Sequence, residues 1–240
     1  MTDYSEYETK CRNAHDKNFL SNTPAEFQDL YFAVRRFTML SRERLYDVFL
    51  SCEYLADAEI AGDLVEIGCW GGGTLALALS ATKDHKVSRL VWGYDTFEGH
   101  PEPSADELDV WGNSQLSKFQ DMKLKGESWA SKSLDEVSSC IEQVSESEMP
   151  RLRLVKGRAE ESIRAQHPGS VALLRIDVDW YEPSLAAWQE LYPRVPSGGV
   201  IIVDDYGHHS GSKKAFHEFF GSRHPKFTHV DYSCISFVKP

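Results

Sequence analysis

The feature that most constrains this chain is a series of short apolar runs, each bounded by glycine, proline or charge, at residues 64–68, 89–95, 152–155, 171–177 and 199–205. Most are separated by helix-length stretches, the spacing of βα units around a parallel sheet buried on both faces. Two further runs, 227–232 and 233–239, leave no room for a helix between them and read as a closing antiparallel pair. The expectation is an α/β fold: an open, doubly wound sheet, antiparallel at its C-terminal edge. A length of 240 residues suits one large domain.

Ahead of the sheet, residues 1–60 are expected to hold an N-terminal arm and helices. Residues 1–22 are polar and aperiodic, a loosely held arm. Thr23-Pro24-Ala25-Glu26 combines an N-cap, a first-turn proline and a capping-box glutamate. Leu45, Val48, Phe49, Cys52 and Leu55 repeat at three and four, as on an amphipathic helix. Between the second and third runs the chain is too long for a simple crossover. Ser133, Glu136 and the periodic Leu134, Val137, Ile141 and Val144 supply the crossover helix, so residues 98–130 are surplus and read as a lid or binding loop. Its aromatics Trp111, Phe119 and Trp129 are candidates for stacking on an acceptor, and the loop is expected to move when no acceptor is present.

Charge narrows the function classes. Against 37 Asp+Glu stand 26 Lys+Arg, a net of -11, which is the wrong balance for tracking a phosphate backbone. No run is apolar enough to span a membrane. The expected partner is a small molecule, with neither nucleic acid nor membrane, and a homo-oligomer is admitted. Cys11, Cys52, Cys69, Cys140 and Cys234 are scattered and never spaced as C-x-x-C, and the N-terminal segment resembles no targeting signal, so the cytoplasm is the expected compartment.

Three segments carry chemistry. Residues 65–74 run from a buried strand through Gly68 and Gly71-Gly72-Gly73 into a helix, a turn that lets a nucleotide-type ligand approach the backbone. Asp95 ends the next strand, where a carboxylate can accept from both hydroxyls of an adenosine ribose. These two features fit a methyl donor and a nicotinamide cofactor equally. The third feature separates them. Asp177 and Asp179 at one strand end, with Asp204 and Asp205 at another, crowd four carboxylates on one sheet edge. Such crowding is costly without a cation, and hard oxygen ligands suit magnesium or a similar divalent ion. An oxidoreductase has no need of them, and a non-catalytic nucleoside-binding module has no need to keep them. Capping of the two following helices is the competing structural use. His208 could steer an acceptor hydroxyl or act as an auxiliary base, or like His209 be a polar loop residue. Tyr181 and Tyr206 read as packing residues, and Trp70 and Trp180 as apolar walls or core.

Together, residues 62–74, 94–103 and 173–220 resemble the macrocin O-methyltransferase family of metal-dependent S-adenosylmethionine enzymes, over the chain from about residue 60 to the C-terminus. The resemblance implies a seven-stranded, Rossmann-like class I methyltransferase domain over 61–240, acting on a hydroxyl of a small molecule, a sugar of a glycosylated natural product. A catechol-type O-methyltransferase is the alternative. It implies Asp177, Asp204 and Asp205 as metal ligands, Asp179 as base with His208 beside it, and a donor site at Glu66, Gly68, Trp70, Gly72, Thr74, Asp95, Thr96, Phe97 and Asp177. By likeness to animal catechol O-methyltransferases, Ala159 and Glu160 meet the adenine. The chain departs from the family pattern at Gly71, where arginine is common, and at Val178, where glycine or threonine is.

Overall fold

A computed structural model describes residues 4–240. Its core is a seven-stranded sheet in the order β3-β2-β1-β4-β5-β7-β6. The parallel strands are β1 (Asp63–Ile67), β2 (Val91–Asp95), β3 (Leu152–Lys156), β4 (Val171–Ile176) and β5 (Val200–Val203). The closing pair, β6 (Thr228–His229) and β7 (Ile235–Val238), is antiparallel as expected, with β7 inserted between β5 and β6.

Alternation along each strand feeds two cores. Leu64 and Leu173 face α2 (Ala25–Val34), α3 (Arg42–Asp57), α4 (Gly73–Ala81) and α6 (Leu134–Ser145). Val65, Ile67, Leu174 and Ile176 face α7 (Ala159–Ala165), α8 (Tyr181–Glu190) and α9 (Ser210–Phe220), where Trp188 and Phe216 are fully buried. Each such side chain contributes about 1.5–3 kcal/mol by leaving water. No helix among the described residues is long and apolar enough to cross a membrane.

Helix α3 buries Leu45, Val48, Phe49, Cys52 and Leu55, and Ser133 and Glu136 form the full capping box of α6, both as the sequence predicts. The start of the chain differs. Residues 1–3 of the expected arm lie outside the described residues, but from Tyr4 to Asn18 it is a helix, α1. Its C-terminal end is tied down by Arg42, which donates to the Asp16 carbonyl at 2.7 Å and carboxylate at 2.9 Å. Nor does Thr23 cap α2. Its hydroxyl donates to the Leu20 carbonyl at 2.7 Å, closing the preceding turn, and Pro24 takes the cap position.

The surplus segment carries α5 (Gln115–Leu124) and is pinned to the domain. The buried Glu107 carboxylate accepts from the Tyr181 amide at 2.7 Å at the start of α8 and lies against Gly211 at the start of α9. One acid therefore serves two helix N-termini, where partial positive charge favours it. Asp109 adds a bridge to His209, and the Ser210 amide donates to the Leu108 carbonyl at 2.9 Å.

Candidate active site

The site lies at the carboxyl ends of the parallel strands, where β1 and β4 diverge to opposite faces and an open α/β sheet leaves a crevice. A cavity of about 250 Å³ opens there. Gly68 has φ +82° at its floor, and a Cβ there would stand 1.8 Å from the Asp177 carbonyl oxygen. Only glycine lets the two strand tips approach so closely. The other glycines pack chain against chain. A Cβ on Gly71 would meet the Phe37 carbonyl at 2.6 Å, and one on Gly73 at 2.8 Å. Gly72, at φ +78°, is wedged against Ile141 and Val137 of α6. The arginine common at position 71 in the family thus has no room beneath the strap at Phe37.

Of the residues expected at the donor, Gly68, Trp70, Asp95, Thr96, Ala159, Glu160 and Asp177 line the cavity. Glu66, Gly72, Thr74 and Phe97 are buried behind its wall. Asp95 Oδ2 accepts from the amides of Cys69 at 2.9 Å and Trp70 at 3.1 Å, and its Oδ1 from that of Phe97 at 2.8 Å. Its carboxylate therefore fixes both flanking turns while facing the cavity. Non-glycine residues at positive φ gather here: Trp70, Ala130 and Asp179 line the cavity, and Phe97 lies just behind. Backbone held in this region costs about 1–3 kcal/mol per residue, which packing must offset.

At the opposite end, Asp177, Asp204 and Asp205 bring one carboxylate oxygen each within 4.8 Å of one another. Two arginines absent from the sequence-based site balance part of this charge. Arg175, fully buried on β4, donates to Glu66 Oε1 at 2.5 Å and Asp177 Oδ2 at 2.8 Å, and bonds Asp204 Oδ1. Arg44 comes from α3, bonding Asp204 Oδ2 and, at 2.6 Å, Asp231 Oδ2. Burial works against each guanidinium, but the facing carboxylates outweigh it and raise both pKa values.

The acids outnumber these arginines. Burial pushes Glu66 up to about 7, Asp179 to about 7 and Asp204 to about 6, and drives Asp205 well above the carboxylate range. Neighbouring negative charge adds to each rise. Such a cluster cannot ionise fully on its own, and its hard oxygen donors fit a divalent cation of the magnesium type.

Asp179 stands beside the three acids, its side chain 13% exposed, with Oδ2 3.5 Å from His100 Nε2 and 3.3 Å from His209 Nε2. Burial, followed by the nearby His208 and His100, lowers His209 to about 3, so it is neutral at physiological pH. Sequence reasoning favoured His208 of the neighbouring pair. The structure puts His209 on Asp179 and turns His208 outward, where its Nδ1 meets the Tyr232 hydroxyl at 3.0 Å. His100 had no assigned role, although the Gly-His-Pro turn that carries it directly follows the Asp95 strand end. Among the aromatics of the insertion, Trp129 lines the cavity and packs edge-on to Trp180 at 5.6 Å, whereas Trp111 and Phe119 lie outside its wall.

The profile of the macrocin O-methyltransferase family (TylF) matches residues 5–239. The chain is 29% identical over 185 residues to the 8-demethyl-8-(2,3-dimethoxy-alpha-L-rhamnosyl)-tetracenomycin-C 4'-O-methyltransferase of Streptomyces olivaceus, covering 77% of this chain and 67% of that protein. It is 29% identical over 170 residues to the demethyldecarbamoylnovobiocin O-methyltransferase of Streptomyces niveus, covering 70% and 62%. Over 172 residues it is 26% identical to the mycinamicin III 3''-O-methyltransferase of Micromonospora griseorubida, covering 70% and 65%. It therefore spans 62–67% of the length of these curated relatives. Among solved structures, the O-methyltransferase NovP superposes with a TM-score of 0.71 at 25% identity, covering 85% of this chain and 82% of that one. The calicheamicin methyltransferase CalS11 shares the fold, with a TM-score of 0.61 at 18% identity over 97% and 92%.

Proposed function

The chain belongs to the macrocin O-methyltransferase family, and from that premise we propose that it methylates a hydroxyl on the sugar of a glycosylated small molecule. S-Adenosylmethionine is the methyl donor and magnesium or a similar divalent ion the metal. The carrying observation is a single cavity with Asp95 and Ala159 at one end and Asp177, Asp179, Asp204 and Asp205 at the other. The first end suits an adenosine, the second a cation and an acceptor oxygen. The names of the relatives point to sugars, rhamnosyl in one of them.

Asp177, Asp204 and Asp205 would hold the cation, and Arg175 fixes the first two by bridging their carboxylates. The chemistry a cation would supply there is acidification of an acceptor hydroxyl, which is otherwise a poor nucleophile near neutral pH. Asp179 takes the hydroxyl proton on its carboxylate, oriented by His100 and His209. Asp95 accepts from the ribose hydroxyls, and Trp129 and Trp180 keep water from the reacting end. In this reading the insertion over residues 98–130 covers the acceptor, and the protein works in the cytoplasm, where free Cys11, Cys52, Cys69, Cys140 and Cys234 are at home.

The test is transfer of labelled methyl from S-adenosylmethionine to a panel of rhamnosides, with and without chelator. Asp179→Asn should lower turnover by about 10²–10⁴ while calorimetry finds donor affinity intact. Unchanged turnover in that variant, or full activity in excess chelator, overturns the scheme.

A further inference from the structure

Two strongly exposed aromatic rings stand together just beyond the acidic end of the cavity. Trp111 is 74% exposed and Tyr232 65%, yet neither sits on slack chain. The turn carrying Trp111 is closed by Asp109, whose Oδ1 accepts from the amides of Trp111 at 3.0 Å and Asn113 at 2.8 Å. Tyr232 follows Asp231, whose Oδ1 accepts from the amides of Ser233 at 2.9 Å and Cys234 at 2.8 Å. Both rings pack edge-on to His208, at 5.3 and 5.8 Å between centroids, and the next residue, His209, reaches the candidate base. Rings held rigid but uncovered are pre-organised to stack on a flat apolar group.

Size supplies the second part of the argument. A cavity of about 250 Å³ lies below the range of ordinary ligand sites, about 300 to 1,000 Å³, and is too small to enclose a glycoside together with the donor. The bulk of an acceptor whose hydroxyl reaches Asp179 must therefore lie outside it, past the acidic end. Resting on the methyl-transfer reading above, we propose that Trp111 and Tyr232, buttressed by His208, form an aromatic ledge. The ledge binds the flat apolar aglycone of the acceptor while its sugar reaches Asp179. These two rings then select for glycosides over free sugars and contribute nothing to the donor.

The experiment compares phenyl and methyl α-L-rhamnopyranoside by calorimetry on protein loaded with S-adenosylhomocysteine and magnesium. The wild type should bind the phenyl glycoside about five- to tenfold more tightly, the size of one aromatic contact. Trp111→Ala should reduce the preference below about twofold, and Trp111→Phe should restore most of it. Tyr232→Leu should weaken it, and affinity for S-adenosylhomocysteine should be unchanged in all three, which also reports intact folding. Equal or undetectable binding of the two glycosides to the wild type overturns the ledge, as does a preference that survives in the Trp111→Ala/Tyr232→Leu double variant. A ledge-dependent preference without transfer of labelled methyl to either glycoside would uphold the ledge and overturn sugar methylation instead.

Discussion

Arg44 offers the sharpest test of how the acidic cluster is held together. Its side chain is 13% exposed, and it spans Asp204, 4% exposed, and Asp231, 20% exposed. Arg44→Met keeps the apolar stem and deletes the charge. Removing one partner of a buried ion pair costs about 3–5 kcal/mol, because the remaining charge stays desolvated. Here Asp204 keeps Arg175, and Asp231 keeps the amides of Ser233 and Cys234, so the low end, about 3 kcal/mol, is expected. With a urea m-value of about 3 kcal/mol/M, the midpoint of unfolding in chelator should fall by about 1 M. Excess magnesium should then return more stability to the variant than to the wild type, since the ion replaces the missing positive charge and binds the native state more tightly for its absence. Tryptophan-monitored urea titrations with chelator and with magnesium measure both effects. A loss below about 1 kcal/mol would reduce Arg44 to an ordinary surface bridge. A magnesium increment no larger than the wild type's would refute the charge-substitution argument.

Three further outcomes follow from individual contacts. Burial holds Glu66 at about 7 against an ordinary 4.5, so the unfolded chain releases its proton first and stability is lost as pH rises between those values. Glu66→Gln removes that penalty: in metal-free protein its stability should match the wild type near pH 4.5 and exceed it by up to about 3 kcal/mol above pH 7, and a gap that does not change with pH would exclude the mechanism. Gly68→Ala places a Cβ 1.8 Å from the Asp177 carbonyl oxygen, whereas Gly112, also at φ +82°, faces open space; denaturation should show a loss of about 3 kcal/mol or more for the first and about 1 kcal/mol for Gly112→Ala, and equal losses would mean the strand tips move apart freely. Glu107→Ala should cost about 2 kcal/mol and free the insertion from α8 and α9, seen as faster tryptic cleavage after Lys123 and Lys125; unchanged cleavage would show that other contacts anchor it.

The sheet was legible because buried parallel strands must be apolar throughout, and the acidic pairs because four carboxylates on one sheet edge have few other uses. The arginines were not, though half of the signal was present. Arg175 and Glu66 each interrupt an otherwise apolar run, and register pairs them on adjacent strands; a charge inside such a run requires an opposite charge beside it. Arg44 left no comparable mark. It is one cation on the polar side of an amphipathic helix, 160 residues from Asp204, and only the docking of α3 brings the two together. His208 and His209 show the same limit over a shorter distance, because which of two adjacent histidines faces Asp179 depends on the backbone turn into α9 and not on residue type.

The glycine run shows that the close approach a motif allows can serve the chain itself. In the sequence it suited either an adenosine donor or a dinucleotide, on the premise that glycines admit a ligand. Of its members, Gly71 and Gly73 admit the Phe37 carbonyl, and Gly72 turns the chain at φ +78° beneath α6. The strap that Phe37 begins continues through Met39 and Leu40, which line the cavity, to Arg44 on Asp204. The glycines therefore seat the N-terminal segment that lines the cavity and delivers a cation to its acidic end. In the proposed reading, ligand discrimination falls to Asp95 on one side and the clustered carboxylates on the other, which is why the acids separated methyl transfer from hydride transfer when the glycines did not.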